Sequence, residues 1–274
     1  MQWRASHAPG PPMNRIPRRA RFSRPLAAAI AALLACAPAV SVAGWYEIAN
    51  YTGTIGHAPV HVSLQTYDAI NRNDAGRWRV DGSYYYDAHR KPIPLQGRRT
   101  PDGRMTLCEA SQPASTADSP VVPAASPTRP KPCPIALNLA GKTGTGTWDD
   151  GRNTFPITLN EVGRLNDNDQ DHLQLDGVVD IPMWYRTRTH MLVGVYALSD
   201  TCGIAMRSLR AVNIATGRVD RTIALGCDAG MLMTSIYANV TDARRAGYVS
   251  VAFRGGKMGD ERDVPLGLPS SSSK

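Results

Sequence analysis

No run of eighteen apolar residues occurs in the 274-residue chain, so no segment reads as a membrane-spanning helix. There is no His-Glu-x-x-His zinc motif and no Gly-x-Ser-x-Gly nucleophile elbow. The usual short signatures of zinc and serine hydrolases are therefore missing. No Cys-x-x-Cys pair or clustered His–Cys spacing is present, which argues against a structural zinc site. Gly141-Lys142-Thr143 imitates the end of a phosphate loop, but Ala136 stands where its first glycine should be. Nothing in these motifs implies a cofactor or a metal. The first 43 positions lack lysine and acidic residues altogether.

That last absence points to what is there. From Met13 a basic stretch holds Arg15, Arg18, Arg19, Arg21 and Arg24, an apolar run follows from Leu26 to Val40, and Ser41-Val42-Ala43 precede Gly44. Basic, apolar and small-residue regions in that order form a secretory leader. We read residues 1–43 as a leader cut after Ala43. Residues 1–12 precede an otherwise complete leader, which marks Met13 as an alternative start. Leu33-Leu34-Ala35-Cys36 offers a second outcome, a lipobox whose Cys36 would carry a lipid anchor, although Leu34 is larger than that position usually holds. Arg18-Arg19 hints at twin-arginine export, but Phe22 sits one place late for that pattern.

The leader changes the meaning of the formal charge of +8. Without its six arginines, 25 basic residues face 23 acidic ones. The electrostatic case for nucleic-acid binding disappears, and a membrane contact is expected only if Cys36 is lipidated. Four cysteines remain, Cys108, Cys133, Cys202 and Cys227. An even number in an exported chain reads as two disulfides. Three pairings are open, and the local one, 108–133 with 202–227, fits the division into units below. Each bridge would close a loop of about 26 residues and contribute roughly 3 kcal/mol in the chain-entropy model.

Beyond Gly44 the apolar residues recur with period two, and Gly, Pro, Asn and Asp punctuate at short intervals, the pattern of antiparallel sheet. Val60, Val62 and Leu64 share one face of a strand; His61, Ser63 and Gln65 share the other. Pro92-Ile93-Pro94-Leu95 reads as an edge strand, because proline donates nothing to a ladder. The expected fold is all-β with few helices: an antiparallel small barrel or sandwich over residues 44–162, interrupted by a mobile Pro/Ala/Ser-rich loop at 111–132, then a linker at 163–172, a second β-rich unit at 173–265 and a disordered tail at 266–274. Residues 231–240 fit a helical face as well as they fit a strand.

Tyr51-Thr52-Gly53-Thr54-Ile55-Gly56, Gly82-Ser83-Tyr84-Tyr85-Tyr86, Pro92-Ile93-Pro94-Leu95-Gln96-Gly97, Gly144-Thr145-Gly146-Thr147-Trp148 and Phe155-Pro156-Ile157 together give residues 50–162 a likeness. This stretch resembles a β-rich domain of uncharacterised bacterial envelope proteins and lipoproteins. The resemblance implies a fold and brings no activity or catalytic residue with it.

Candidate binding residues are His61, Trp78, Tyr84, Tyr85 and Tyr86. Alternation sends Tyr85 to the face opposite Tyr84 and Tyr86, so one side of this strand is buried and the other is offered. Tyrosine supplies sheet packing in the bland reading and a contact surface in the sharper one. Asp167, Asp169 and Asp171 have the spacing of the first half of a calcium loop, but His172 and Val178 occupy its glycine and glutamate positions. Two of Asp149, Asp150 and Asp180, brought together across a cleft, could pair as general acid and base. The expectation is an exported, non-catalytic module that binds another protein, as an inhibitor or immunity-like partner does. The alternatives are a lipid-anchored accessory of the envelope and an unrecognised hydrolase.

Overall fold

Hydrophobic alternation from Tyr46 onward builds a meander that closes on itself. The computed structural model describes residues 46–67, 78–110, 133–166, 174–177, 179–231, 234–254 and 259–268. The first eight strands are β1 (Tyr46–Ile55), β2 (Ala58–Tyr67), β3 (Trp78–Tyr86), β4 (Ile93–Arg99), β5 (Arg104–Glu109), β6 (Ile135–Ala140), β7 (Thr143–Asp149) and β8 (Thr154–Asn166). Each pairs antiparallel with the next, and β8 returns to β1 with Ile55 opposite Ile157. The result is an eight-stranded up-and-down barrel, and closure removes the open edges that would invite other strands. Tyr51, Val62, Leu64, Val80, Leu95, Leu107, Leu137 and Leu159 fill its interior. Gly97 lets neighbouring backbone come close, since a Cβ there would lie 2.0 Å from the Thr106 carbonyl oxygen.

Two expectations about this half are corrected. Pro94 is not on an edge: β4 lies between β3 and β5, with Pro94 opposite Ser83. The proline is tolerated because it stands at the second residue of β4, just before the β5 ladder starts at Leu95 opposite Glu109, and its carbonyl still accepts from the Ala110 N–H at 2.9 Å. The expected connection at 163–172 also begins later. Strand β8 continues through Asn166, and β9 (Gln174–Gly177) pairs with that extension, Gly163 opposite Gly177. The proposed leader, the 111–132 insert, residues 167–172 and positions 269–274 of the expected tail lie outside the described residues; Leu266, expected to open that disordered tail, is instead buried in the core and donates its N–H to the Gly247 carbonyl at 2.9 Å.

The second half is β-rich as expected, in two smaller sheets. One holds β10 (Val179–Arg186), β11 (His190–Ser199), β12 (Gly203–Asn213) and β13 (Val219–Ala224); the other holds β14 (Val240–Asp242), β15 (Tyr248–Phe253) and β16 (Asp260–Pro265). Between them Ile236–Ala238 form a single 3-10 turn before Val240 starts β14, which resolves the ambiguous stretch in the described residues.

The two halves share a core. Tyr46, Ile48, Tyr67 and Leu165, which face out of the barrel, pack with Ile181, Met183, Trp184, Leu192, Tyr196 and Tyr237. The same outer face carries polar residues that end up buried: Ser63, Gln65, Asp81 and Ser83. Burying such groups is costly unless each finds a partner, and most do. The Ser63 hydroxyl lies 3.0 Å from the Tyr237 hydroxyl. Gln65 accepts from the Ile236 N–H at 2.9 Å and donates to the Thr234 carbonyl at 3.1 Å. Trp184 donates to the Gly82 carbonyl at 2.7 Å. Asp81 is fully buried and takes a two-pronged contact from Arg79 and a hydrogen bond from the Tyr67 hydroxyl.

Both bridges form with the local pairing, Cys108–Cys133 and Cys202–Cys227. The first joins the end of β5 to the approach to β6; the second ties the β11–β12 turn to the segment after β13. Two outcomes follow. Alkylation without reductant should label none of the four cysteines in the oxidised chain, and labelling of Cys108 or Cys227 would contradict the pairing. Gln65→Ala should lower urea stability by about 1–3 kcal/mol, because it strands a buried N–H and a buried carbonyl; a loss below about 0.5 kcal/mol would show that these bonds do not hold the halves together.

Candidate functional site

Where the shared core ends, the two halves part and leave a cleft of about 620 Å³. One wall is the outer face of β1–β3, the other the face of the four-stranded sheet that carries Pro182, Met191, Val193 and Val212. Strand β8 bulges against β1 here, Asn50 opposing Gly163 and Tyr51 opposing Glu161, so Val162 is the extra residue and turns outward. Val162 and Val219 are 47% and 51% exposed, on opposite walls of the cleft. Large exposed aliphatics beside an apolar cavity are the usual mark of a binding surface.

The polar groups in the cleft are arranged in pairs. His61 and Tyr85 are direct cross-strand neighbours, and their rings stack at 4.9 Å and 8°. His61 Nδ1–H donates to Asp87 Oδ1 at 2.7 Å; the carboxylate can only accept, so this bond orients the imidazole. On the facing wall Arg210 donates to Asp180 Oδ2 at 2.8 Å. Asn50 crosses between the walls, its amide donating to the Asp180 carbonyl at 2.8 Å. Asn50 Oδ1 and Asp180 Oδ1 are buried without a donor. Burial pushes the Asp180 carboxyl above the ordinary aspartate range, and Arg210 only partly offsets this. Burial also raises the Tyr85 hydroxyl well above its usual value; Asp87 and Asp180 add to the rise and Arg90 opposes it. Tyr85 thus sits among three charges of the cleft.

Arg90 differs from its neighbours. Its φ of 49° is the only positive value at a non-glycine among the described residues, a backbone state that costs free energy and is held by its surroundings. Its guanidinium donates to the Ile214 carbonyl at 3.3 Å and lies against Gly217, where a Cβ would stand 2.6 Å from Arg90 Nε. Gly217, at φ 73°, both makes its turn and leaves room for the arginine.

Of the five binding candidates read from the sequence, the structure brings His61 and Tyr85 into this cleft. Tyr84 and Tyr86 take the opposite face: Tyr84 is buried in the barrel and donates to Glu109 at 2.6 Å, which also accepts from Trp148 at 3.1 Å. Tyr86 packs edge-on against Tyr84 at 5.6 Å. Trp78 opens β3, and its side chain lies outside the described residues, as do Cys36 and the calcium-like stretch 167–171. Asp149 and Asp150 accept backbone N–H groups in the β7–β8 turn and are not among the residues that line the cleft with Asp180. Among the described residues no group of three His, Cys, Asp or Glu side chains could hold a metal. Arg90, Arg210 and Asn50 had no local signal; they meet only through the fold.

No protein-family model, no curated protein and no solved structure matches the chain.

The sign of the Asp180 effect is testable. Its folded pKa is raised, so it supports folding most fully below the unfolded aspartate value, and that support is lost as pH rises through the folded pKa. The carboxyl carbon of Asp180 should titrate above the ordinary aspartate midpoint by NMR. Stability relative to Asp180→Asn should fall with rising pH over the same window. A midpoint at or below the ordinary value would contradict the burial argument.

Proposed function

We propose that the chain is a non-catalytic binding module of an exported, oxidising compartment, and that the cleft receives part of a protein partner. Two disulfides are consistent with that compartment. The observation that carries the reading is the cleft with its two exposed valines, Val162 and Val219, on opposite walls. Apolar walls with a few oriented polar groups form the usual anatomy of a recognition pocket. The walls belong to strands fixed by a shared core and buried hydrogen bonds, so the cleft is preformed and little ordering cost attends binding. Asp87 is engaged by His61 and Asp180 by Arg210, an arrangement that supports recognition.

The test is capture with oxidised chain beginning at residue 44, immobilised and exposed to envelope and secreted proteins. Wild type should retain one stoichiometric protein that survives salt. Val162→Arg and Val219→Arg, at exposed positions that spare the core, should each weaken its binding at least tenfold, about 1.4 kcal/mol. Retention of the same protein by both variants would remove the cleft from the interface, and an empty capture by wild type would remove the proposal.

A further inference from the structure

The geometry points to a carboxylate on an apolar body as the group that enters the cleft, with Arg90 as its receptor. This rests on the reading of the cleft as the binding site and adds the chemistry of its occupant.

Each cleft carboxylate already has its own side-chain partner: Asp87 accepts from the His61 ring at 2.7 Å, and Asp180 pairs with the Arg210 guanidinium at 2.8 Å. Arg90 is left over. Among the described residues it has no carboxylate within ion-pair distance, and its hydrogen bond goes to the Ile214 carbonyl at 3.3 Å, a long and neutral contact. A guanidinium presents five donors in a planar fork and matches a carboxylate with two parallel bonds. One backbone oxygen leaves most of that capacity unused. The positioning of this arginine is built, by its left-handed backbone and by Gly217, whose missing Cβ lets the guanidinium lie against the turn. Nearby, Met191, Val193 and Val212 give an apolar wall for the rest of the ligand. Half-buried Asp180 opposes an incoming anion weakly, since the Arg210 guanidinium at 2.8 Å balances its charge.

A carboxylate on an apolar body occurs in a free small acid and at the C-terminus of a chain that ends in an aliphatic residue. The experiment separates these sources. Hexanoate, hexylammonium and hexanamide share one body and differ in the head group. N-acetyl-Ala-Ala-Val-Leu with a free carboxylate and its amidated form supply the chain-end version. Binding to the oxidised protein is measured by calorimetry and by backbone amide shifts of β3, β11, β12 and the turn at Gly217.

The expected result is saturable binding of hexanoate, of the free-carboxylate peptide, or of both, with Gly217 and Val212 amides shifted. Tighter binding of the peptide identifies a chain end, and tighter binding of hexanoate a small acid. Hexylammonium, hexanamide and the amidated peptide should bind at least tenfold more weakly. Arg90→Gln should abolish that preference, Arg90→Lys should keep part of it, and Gly217→Ala should weaken carboxylate binding by displacing the guanidinium. A melting temperature for each variant separates loss of the site from loss of the fold. If the ammonium or amide ligands bind as well as hexanoate, or if Arg90→Gln binds hexanoate as wild type does, the carboxylate assignment is overturned while the cleft remains the site. If none of the five ligands binds, the assignment is also overturned; whether the cleft is the interface is then decided separately by the captured partner and its response to Val162→Arg.

Discussion

A polar face of the barrel lies under protein instead of under water, and the rest of the molecule is arranged to make that tolerable. Ser63, Gln65, Asp81 and Ser83 point outward from β2 and β3 and are buried. An unpaired buried polar group costs about 1–3 kcal/mol, enough for several to cancel a typical domain's stability. The second half answers with groups at matching heights: the Tyr237 hydroxyl, the Ile236 N–H and the Thr234 carbonyl. Around them Ile48, Tyr67 and Leu165 meet Met183, Trp184 and Tyr237 in one core. Apolar burial supplies most of the attraction, and the hydrogen bonds fix the register, because sliding one half would strand Ser63 and Gln65 together.

The cleft is the continuation of this seam. Along β2, Gln65 and Ser63 are bonded within it, and the next residue on the same face, His61, stands in the open part. Along β3, Asp81 and Ser83 are buried, and the next, Tyr85, stacks on His61. The walls are therefore held at a set separation by the interactions that hold the molecule together. Asn50, with its bond across to the Asp180 carbonyl, marks the boundary between closed seam and open cleft. A site built on strands in this way is stiffer than one built on loops, which suits recognition of a defined shape.

Much of the architecture was legible in the sequence because period-two alternation is a local property. The barrel strands, the interior row Val60, Val62 and Leu64 and the division of Tyr85 from Tyr84 all follow from it. The local disulfide pairing was favoured by its fit to two units. What escaped reading depends on contacts between distant residues. Ser63 and Gln65 look like a solvent face until Tyr237 and Ile236 are seen opposite them. Pro94 looks like an edge residue because the rule against proline in ladders ignores its place near the start of β4. Strand β8 runs through Gly163 and Arg164, which read as a linker when taken alone. Arg90, Asp180 and Arg210 are scattered along the chain, and nothing near any of them announces the others. Nothing near Gly217 in the sequence announces its second role, and only the packed structure shows that this glycine also seats an arginine.

The seam is best tested by native-state hydrogen exchange, residue by residue. The Ile236 amide, bonded to Gln65, and the amides of β10 to β12 should exchange with the same opening free energy as the barrel amides of β1 to β3. That result would make barrel and second half one cooperative structure, with the cleft as a fixed feature of it. Exchange of Ile236 and the four-stranded sheet through an opening several kcal/mol easier, with the barrel still protected, would contradict the account: the halves would then separate freely, and the cleft would have no fixed walls.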